Sequence, residues 1–198
     1  MNKKHKDLEK IRRRLVEKFT SSYFLNLEAM DEYVIGRSKE SFCYIVEVEL
    51  KELGEIRGSN SSKFGLWYGK YGKSSKKDYR ATKKHFDGDV KFAFEQIKKE
   101  LAKLIDKTSE LKEFKDINCK LSNMFKYKIM YLYNSKIMLP IYVKKDLNLF
   151  ERHLSLKESQ TFEQSQKQLM KYRDKCFPTF DNFTFMDYLY KKYKTGRK

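Results

Sequence analysis

Leu8, Ile11, Leu15 and Phe19 recur at three- and four-residue steps, with Lys and Arg filling the positions between them. A helix gathers such positions on one side, so residues 4–19 read as an amphipathic helix. A second helical pattern begins at Val90 and passes through Phe94, Ile97, Leu101, Leu104 and Ile105 to about Lys107, with Asp87-Gly88-Asp89 before it as an N-cap. Residues 145–154, 160–175 and 184–193 carry further helical patterns, and a short helix is expected at 109–116. In residues 123–134 two patterns compete. Tyr127, Ile129, Tyr131 and Tyr133 alternate as in a strand, whereas Ser122 offers an N-cap and Phe125, Ile129 and Leu132 stand at helical steps. The helical reading is preferred.

Residues 41–50, Ser-Phe-Cys-Tyr-Ile-Val-Glu-Val-Glu-Leu, are rich in aromatic and β-branched side chains and predict a strand. Tyr44, Val46, Val48 and Leu50 would then share one face, with Cys43, Ile45, Glu47 and Glu49 on the other. Gly54 to Asn60 reads as a turn, Ser62–Tyr71 as a second strand interrupted by glycines, and Leu139-Pro-Ile-Tyr-Val143 as a short edge strand. The expected fold is α+β: a small, mostly antiparallel sheet from residues 41–72, joined by 139–143, packed by helices from both ends of the chain. A single domain is expected, with a basic helix at 1–20, an α+β core at 21–143 and C-terminal helices at 144–198.

Composition narrows the class. With 40% apolar and 15% aromatic residues, the 198-residue chain can fill a core largely with Phe and Tyr. The start, Met-Asn-Lys-Lys-His-Lys, has no apolar run behind it, and no stretch approaches the roughly 20 apolar residues that span a bilayer. Cys43, Cys119 and Cys176 are odd in number and widely spaced, which fits reduced thiols in a cytoplasm. Three histidines without a Cys-x-x-Cys or His-x-x-x-His pair argue against a structural zinc, and no cofactor is expected.

Charge then points to a partner. The formal net charge is +17, and residues 57–84 hold nine cations against one carboxylate, Asp78. Phe64, Trp67, Tyr68, Tyr71 and Tyr79 are threaded through this stretch, as are Gly58, Gly65, Gly69 and Gly72. Clustered cations attract phosphates, aromatics stack on or contact bases, and glycines admit close backbone approach. Arg57, Lys63, Lys70, Lys73, Lys76, Lys77 and Arg80 are the candidate phosphate contacts, with Trp67, Tyr68 or Tyr71 as base contacts. Strand alternation sets Trp67 and Tyr71 opposite Tyr68, so the three rings do not serve one pocket. Arg12-Arg13-Arg14 forms a second basic cluster.

The blocks Ser41-Phe-Cys-Tyr, Leu53-Gly-Glu-Ile-Arg-Gly58, Lys63-Phe-Gly-Leu-Trp67, Phe125-Lys-Tyr-Lys-Ile-Met-Tyr-Leu-Tyr133, Leu139-Pro-Ile-Tyr142 and Phe185-Met-Asp-Tyr-Leu-Tyr190 follow one another in this order. This order resembles the N-terminal region ahead of the AAA+ GTPase domain in McrB-type, LlaJI-like restriction proteins. The resemblance implies a module that recognises double-stranded DNA at a particular site or modified base, with a ring-forming motor and a separate nuclease subunit as partners. Gly72-Lys73-Ser74 is similar to the end of a Walker A loop, but Trp67 stands where its first glycine is required. The chain is therefore expected to be the recognition module alone and not itself an enzyme.

Two alternatives remain. Glu49-Leu50-Lys51 matches the Glu-x-Lys half of a Mg-dependent nuclease core if both side chains share a strand face, with Asp31 as the second carboxylate. A protein-interaction domain whose basic face binds an acidic partner is the other.

Overall fold

The computed structural model describes residues 3–70, 72, 75–82 and 89–194. Helix α1 (Lys3–Lys18) follows the expected stripe, burying Leu8 and Leu15 with His5. Thr20 caps α2 (Ser21–Leu25) by accepting the Tyr23 N–H at 3.1 Å.

Residues 41–50 are not a strand. Phe42–Tyr44 form α3, which passes into a π-helical segment, Ile45–Glu49. There the Leu50 N–H reaches back five residues to the Ile45 carbonyl at 2.9 Å. The buried apolar positions are Phe42, Cys43, Val46 and Leu50, which a helix brings to one side, while Val48 is 47% exposed. Burial of that stripe outweighs the β-propensity of Ile45, Val46 and Val48. Phe42 sits among Phe24, Phe19 and Phe125, with ring centroids 4.9, 5.1 and 6.4 Å away.

Helix α4 (Asn60–Phe64) leads into β1 (Leu66–Gly69), which pairs antiparallel with β2 (Asp78–Ala81). The fold is thus α+β with a small antiparallel sheet, built from residues 66–81 rather than 41–72. Helix α5 (Val90–Ser109) packs against both strands and against α2. Asp89 caps it, accepting the Phe92 N–H at 2.6 Å.

The helix expected at 109–116 is absent. After α5 the chain runs irregularly, pinned by buried Phe114, Ile117 and Leu121. Side chains satisfy its backbone instead. Asn134 Nδ2 donates to the carbonyls of Thr108 and Leu111, and Glu163 and Glu100 accept the N–H groups of Asp116 and Lys120.

Helix α6 (Asn123–Tyr133) buries nearly every side chain from Phe125 to Leu132. A helix buried all round, here with Lys126 and Lys128 among its buried residues, belongs in the middle of a core and shows no one-sided apolar stripe, which explains why its sequence also matched a strand. Helices α7 (Lys144–His153), α8 (Phe162–Cys176) and α9 (Asn182–Tyr193) complete the chain, close to the spans expected. Thr161 and Gln164 form a capping box on α8, and Asp181 caps α9 through the Thr184 N–H.

Residues 139–142 are buried but irregular, bending at Pro140 where the Ile141 N–H donates to the Leu139 carbonyl at 2.8 Å, and they are not part of the sheet. The Gln166 side chain takes the place of a neighbouring strand. Its Oε1 accepts the Leu139 N–H at 2.9 Å, and its Nε2 donates to the Leu139 and Ile141 carbonyls at 3.2 and 2.9 Å. Residues 139–142 lie where two apolar cores meet. One is formed by α1, α2, α3, α5 and α6, and the other by Leu147, Phe150, Leu169, Phe185 and Leu189 of the last three helices.

Lys128 of α6 is wholly buried, and its Nζ donates to the carbonyls of Leu50 and Gly54 at 2.9 and 2.6 Å. Beside it Tyr142 donates to the Leu53 carbonyl at 2.6 Å. These two side chains fix the turn that returns the chain from the π-helical segment.

Candidate nucleic-acid interface

Strand alternation gives the β1–β2 ribbon two unlike faces. Leu66, Tyr68, Tyr79 and Ala81 turn toward the first core, Leu66 fully buried and the other three packed against it. Trp67 and Arg80 form the next cross-strand pair, Gly69 and Asp78 the last, and these four belong to the opposite, outer face. Arg80 Nε reaches the Gly69 carbonyl at 3.4 Å, which lays the arginine along that face.

A polar clamp behind the ribbon holds it to residues 31–37. Arg37 grips Asp31 with Nε and Nη2 at 3.0 and 3.1 Å and lies over the Tyr68 ring at 4.7 Å. Tyr79 donates its hydroxyl to the same carboxylate and packs edge-on against Tyr68 at 5.2 Å. Arg37, and after it Tyr79, hold the Asp31 carboxyl below its usual range. The Tyr68 N–H donates to the Ile35 carbonyl at 3.3 Å.

Gly36 makes this close approach possible: its φ is +103°, and a Cβ there would stand 2.5 Å from the Tyr68 carbonyl oxygen. Gly36→Ala is expected to destabilise the protein by about 1–3 kcal/mol. A thermal melt followed by circular dichroism should show a drop of roughly 2–10 °C.

The connection between the strands carries the charge. Lys70, Lys76 and Lys77 are exposed, Lys76 with 83% of its side chain in solvent and 3.9 Å from Asp78. Tyr71 and Lys73 lie outside the described residues. The ribbon and its connection, residues 66–81, contain five cations and one carboxylate. A dense cation cluster of this kind attracts phosphate in a salt-dependent way.

The other two candidate cations stand elsewhere. Lys63 is largely buried and paired with Glu47. Arg57 Nη2 approaches Asp146 at 3.3 Å, a buried carboxylate that also accepts from the Tyr190 hydroxyl at 2.8 Å and from Lys194. In the Arg12–Arg14 run, Arg12 bonds Glu9 and the Leu132 carbonyl, Arg13 reaches Glu9 at 3.3 Å, and Arg14 is exposed.

The geometry assumed for a nuclease core does not form. Glu49 closes the π-helical segment and Lys51 follows it, 3.4 Å from Glu55, so no strand face joins them. Asp31 is engaged by Arg37 and Tyr79. No group of three metal-ligating side chains occurs among the described residues.

No family model, curated protein or solved structure matches the chain. The site therefore rests on its own geometry. Among the described residues no helix is long and apolar enough to cross a membrane. The sequence pointed to other roles for Asp31 and Tyr79 and gave no signal for Arg37 or the buried Lys128; Tyr79 meets Asp31 across 48 residues, and Lys128 meets Leu50 and Gly54 across 78 and 74.

Proposed function

We propose that this chain is a cytoplasmic DNA-binding module, reading a site or a modified base in duplex DNA as part of an anti-phage restriction system. The carrying observation is the ribbon's outer face and connection, where Trp67 and Arg80 stand together beside Lys70, Lys76 and Lys77. The resemblance to McrB-type N-terminal regions supports the same reading and supplies the expected partners, an AAA+ GTPase and a nuclease subunit. Phosphate contacts from the lysines position the duplex, and outer-face side chains discriminate among bases. A protein that reads a modified base can extrude it and stack it on an aromatic ring, and among the described residues Trp67 is the ring on the outward face.

Paired substitutions test this reading. Trp67 is half-buried but not packed on the core, so Trp67→Ala should lower the melting temperature less than Tyr68→Ala does and weaken binding to the preferred duplex by about 1–3 kcal/mol. Tyr68→Ala removes a ring packed on Tyr79, Arg37 and the core, and should instead cost about 2 kcal/mol of stability, with binding lost in proportion to folded protein. Fluorescence anisotropy on plain, methylated and hydroxymethylated duplexes, run beside thermal melts, measures both. Absence of binding to every duplex at low salt would reject a DNA module and favour an acidic protein partner.

A further inference from the structure

This inference rests on the nucleic-acid reading of the ribbon. The outer face pairs Trp67 with Arg80 and Gly69 with Asp78, while the inner face is closed by the core and the Arg37–Asp31–Tyr79 clamp. Among the described residues the ribbon therefore offers nucleic acid one two-stranded face, with Lys70, Lys76 and Lys77 flanking it.

Dimensions decide where such a surface fits. Two strands lie about 4.8 Å apart, and their side chains broaden the ribbon to roughly 10 Å. The major groove of B-DNA, about 12 Å wide, admits that body without distortion, whereas the minor groove, about 6 Å wide, takes a ribbon only when the duplex is opened and bent, at a cost in DNA deformation. A single strand would ask for several outward rings in succession, and among the described residues the outer face carries one, Trp67.

Asp78 sharpens the argument. Its side chain is 53% exposed and shares the outer face with Arg80 two residues on. Its Oδ1 accepts the Tyr79 N–H at 2.9 Å, and its Oδ2 lies 3.9 Å from Lys76. Phosphates repel a carboxylate, and with its side chain half in solvent Asp78 keeps acceptor capacity beyond the Tyr79 N–H. The cytosine N4 amino group in the major groove is a donor that a carboxylate accepts, and guanine O6 and N7 are acceptors that an arginine spans. Alternate residues of a strand are about 6.8 Å apart, close to two base-pair steps.

We propose that the β1–β2 ribbon enters the major groove of duplex DNA outer face first, with Arg80 reading guanine and Asp78 reading the amino group of a cytosine about two steps away. Lys70, Lys76 and Lys77 hold the flanking phosphates.

The test uses a mixed-sequence duplex containing A-tracts, with the intact chain and an anisotropy readout. Glucosylated 5-hydroxymethylcytosine in place of cytosine fills the major groove and should weaken binding at least tenfold; netropsin, which occupies the minor groove, should change it less than twofold. Displacement by netropsin, or indifference to the glucose, overturns the proposal while leaving DNA binding itself intact. Failure to bind any duplex, plain or modified, at low salt overturns both readings. Arg80→Lys keeps the charge, so a phosphate role leaves affinities unchanged. A guanine-reading role removes a roughly 5- to 100-fold preference for G·C-containing over all-A·T duplexes, with the salt dependence and the melting temperature preserved. An unchanged preference in this variant rejects Arg80 as the reader.

Discussion

Lys128→Ala should lower the stability of the folded chain by about 3–5 kcal/mol, enough to consume much of the margin of an ordinary domain. Two losses combine. A long buried side chain leaves a cavity, and the carbonyls of Leu50 and Gly54 lose the donor that reaches them at 2.9 and 2.6 Å. Lys128→Met fills most of the space and isolates the second loss. The pH dependence identifies the group. Burial, opposed by the nearby Glu47 carboxylate, pushes the Lys128 ammonium down to about 7 from an ordinary 10.5. A neutral amine still has two hydrogens, one for each carbonyl. Between about pH 7 and the ordinary lysine value the unfolded chain therefore holds the extra proton, and this group's contribution to stability rises with pH. Below about pH 7 both states are charged, and the folded state carries the full cost of a buried ammonium. Urea unfolding at pH 6.5 and 9 should show the wild type gaining on Lys128→Met at the higher pH. A constant difference between them would mean that Lys128 stays charged throughout.

Replacing Lys70, Lys76 and Lys77 together with Ala should weaken binding to all duplexes alike, without disturbing the fold. The three side chains are exposed. Each phosphate contact contributes about 0.9 to the log–log slope against salt, so three lost contacts flatten it by roughly 2.7 and lower affinity by two to three orders of magnitude at about 0.1 M salt. Titrations at several salt concentrations separate this from a loss of sequence discrimination, which the triple variant should keep. Unchanged affinity in a well-folded triple variant would move the surface away from the ribbon, toward exposed Arg14 and its neighbours on α1.

The long amphipathic helices were legible because a one-sided apolar stripe has few other solutions: α1 and α5 lie within two residues of their expected limits. Residues 41–50 were not. Tyr44, Val46, Val48 and Leu50 alternate, yet only Val46 and Leu50 of those are buried, and the side toward the core runs Phe42, Cys43, Val46, Leu50. Short range propensity and long range burial disagree there, and burial prevails. Strand β2 went unread because four residues, Asp-Tyr-Arg-Ala, carry almost no periodicity of their own. In the candidate site, alternation correctly set Trp67 apart from Tyr68, but which ring faced outward depended on packing. Cation clusters were visible from composition; their carboxylate partners were not. Arg57 meets Asp146 across 89 residues and Lys63 meets Glu47 across 16, and no local pattern encodes such meetings.

The Gln166 amide that flanks residues 139–141 has a consequence for the chain as it is made. Leu139 and Ile141 emerge from the ribosome 27 and 25 residues before the side chain that satisfies their backbone. During that interval the apolar run Ile137-Met-Leu-Pro-Ile-Tyr-Val143 has open main-chain groups and can pair with the same run on another nascent chain. Pro140, which lacks an N–H, interrupts any such ladder at its centre. Pro140→Ala should therefore leave the finished protein nearly as stable while raising the fraction that aggregates during expression, a cost of synthesis rather than of the native state.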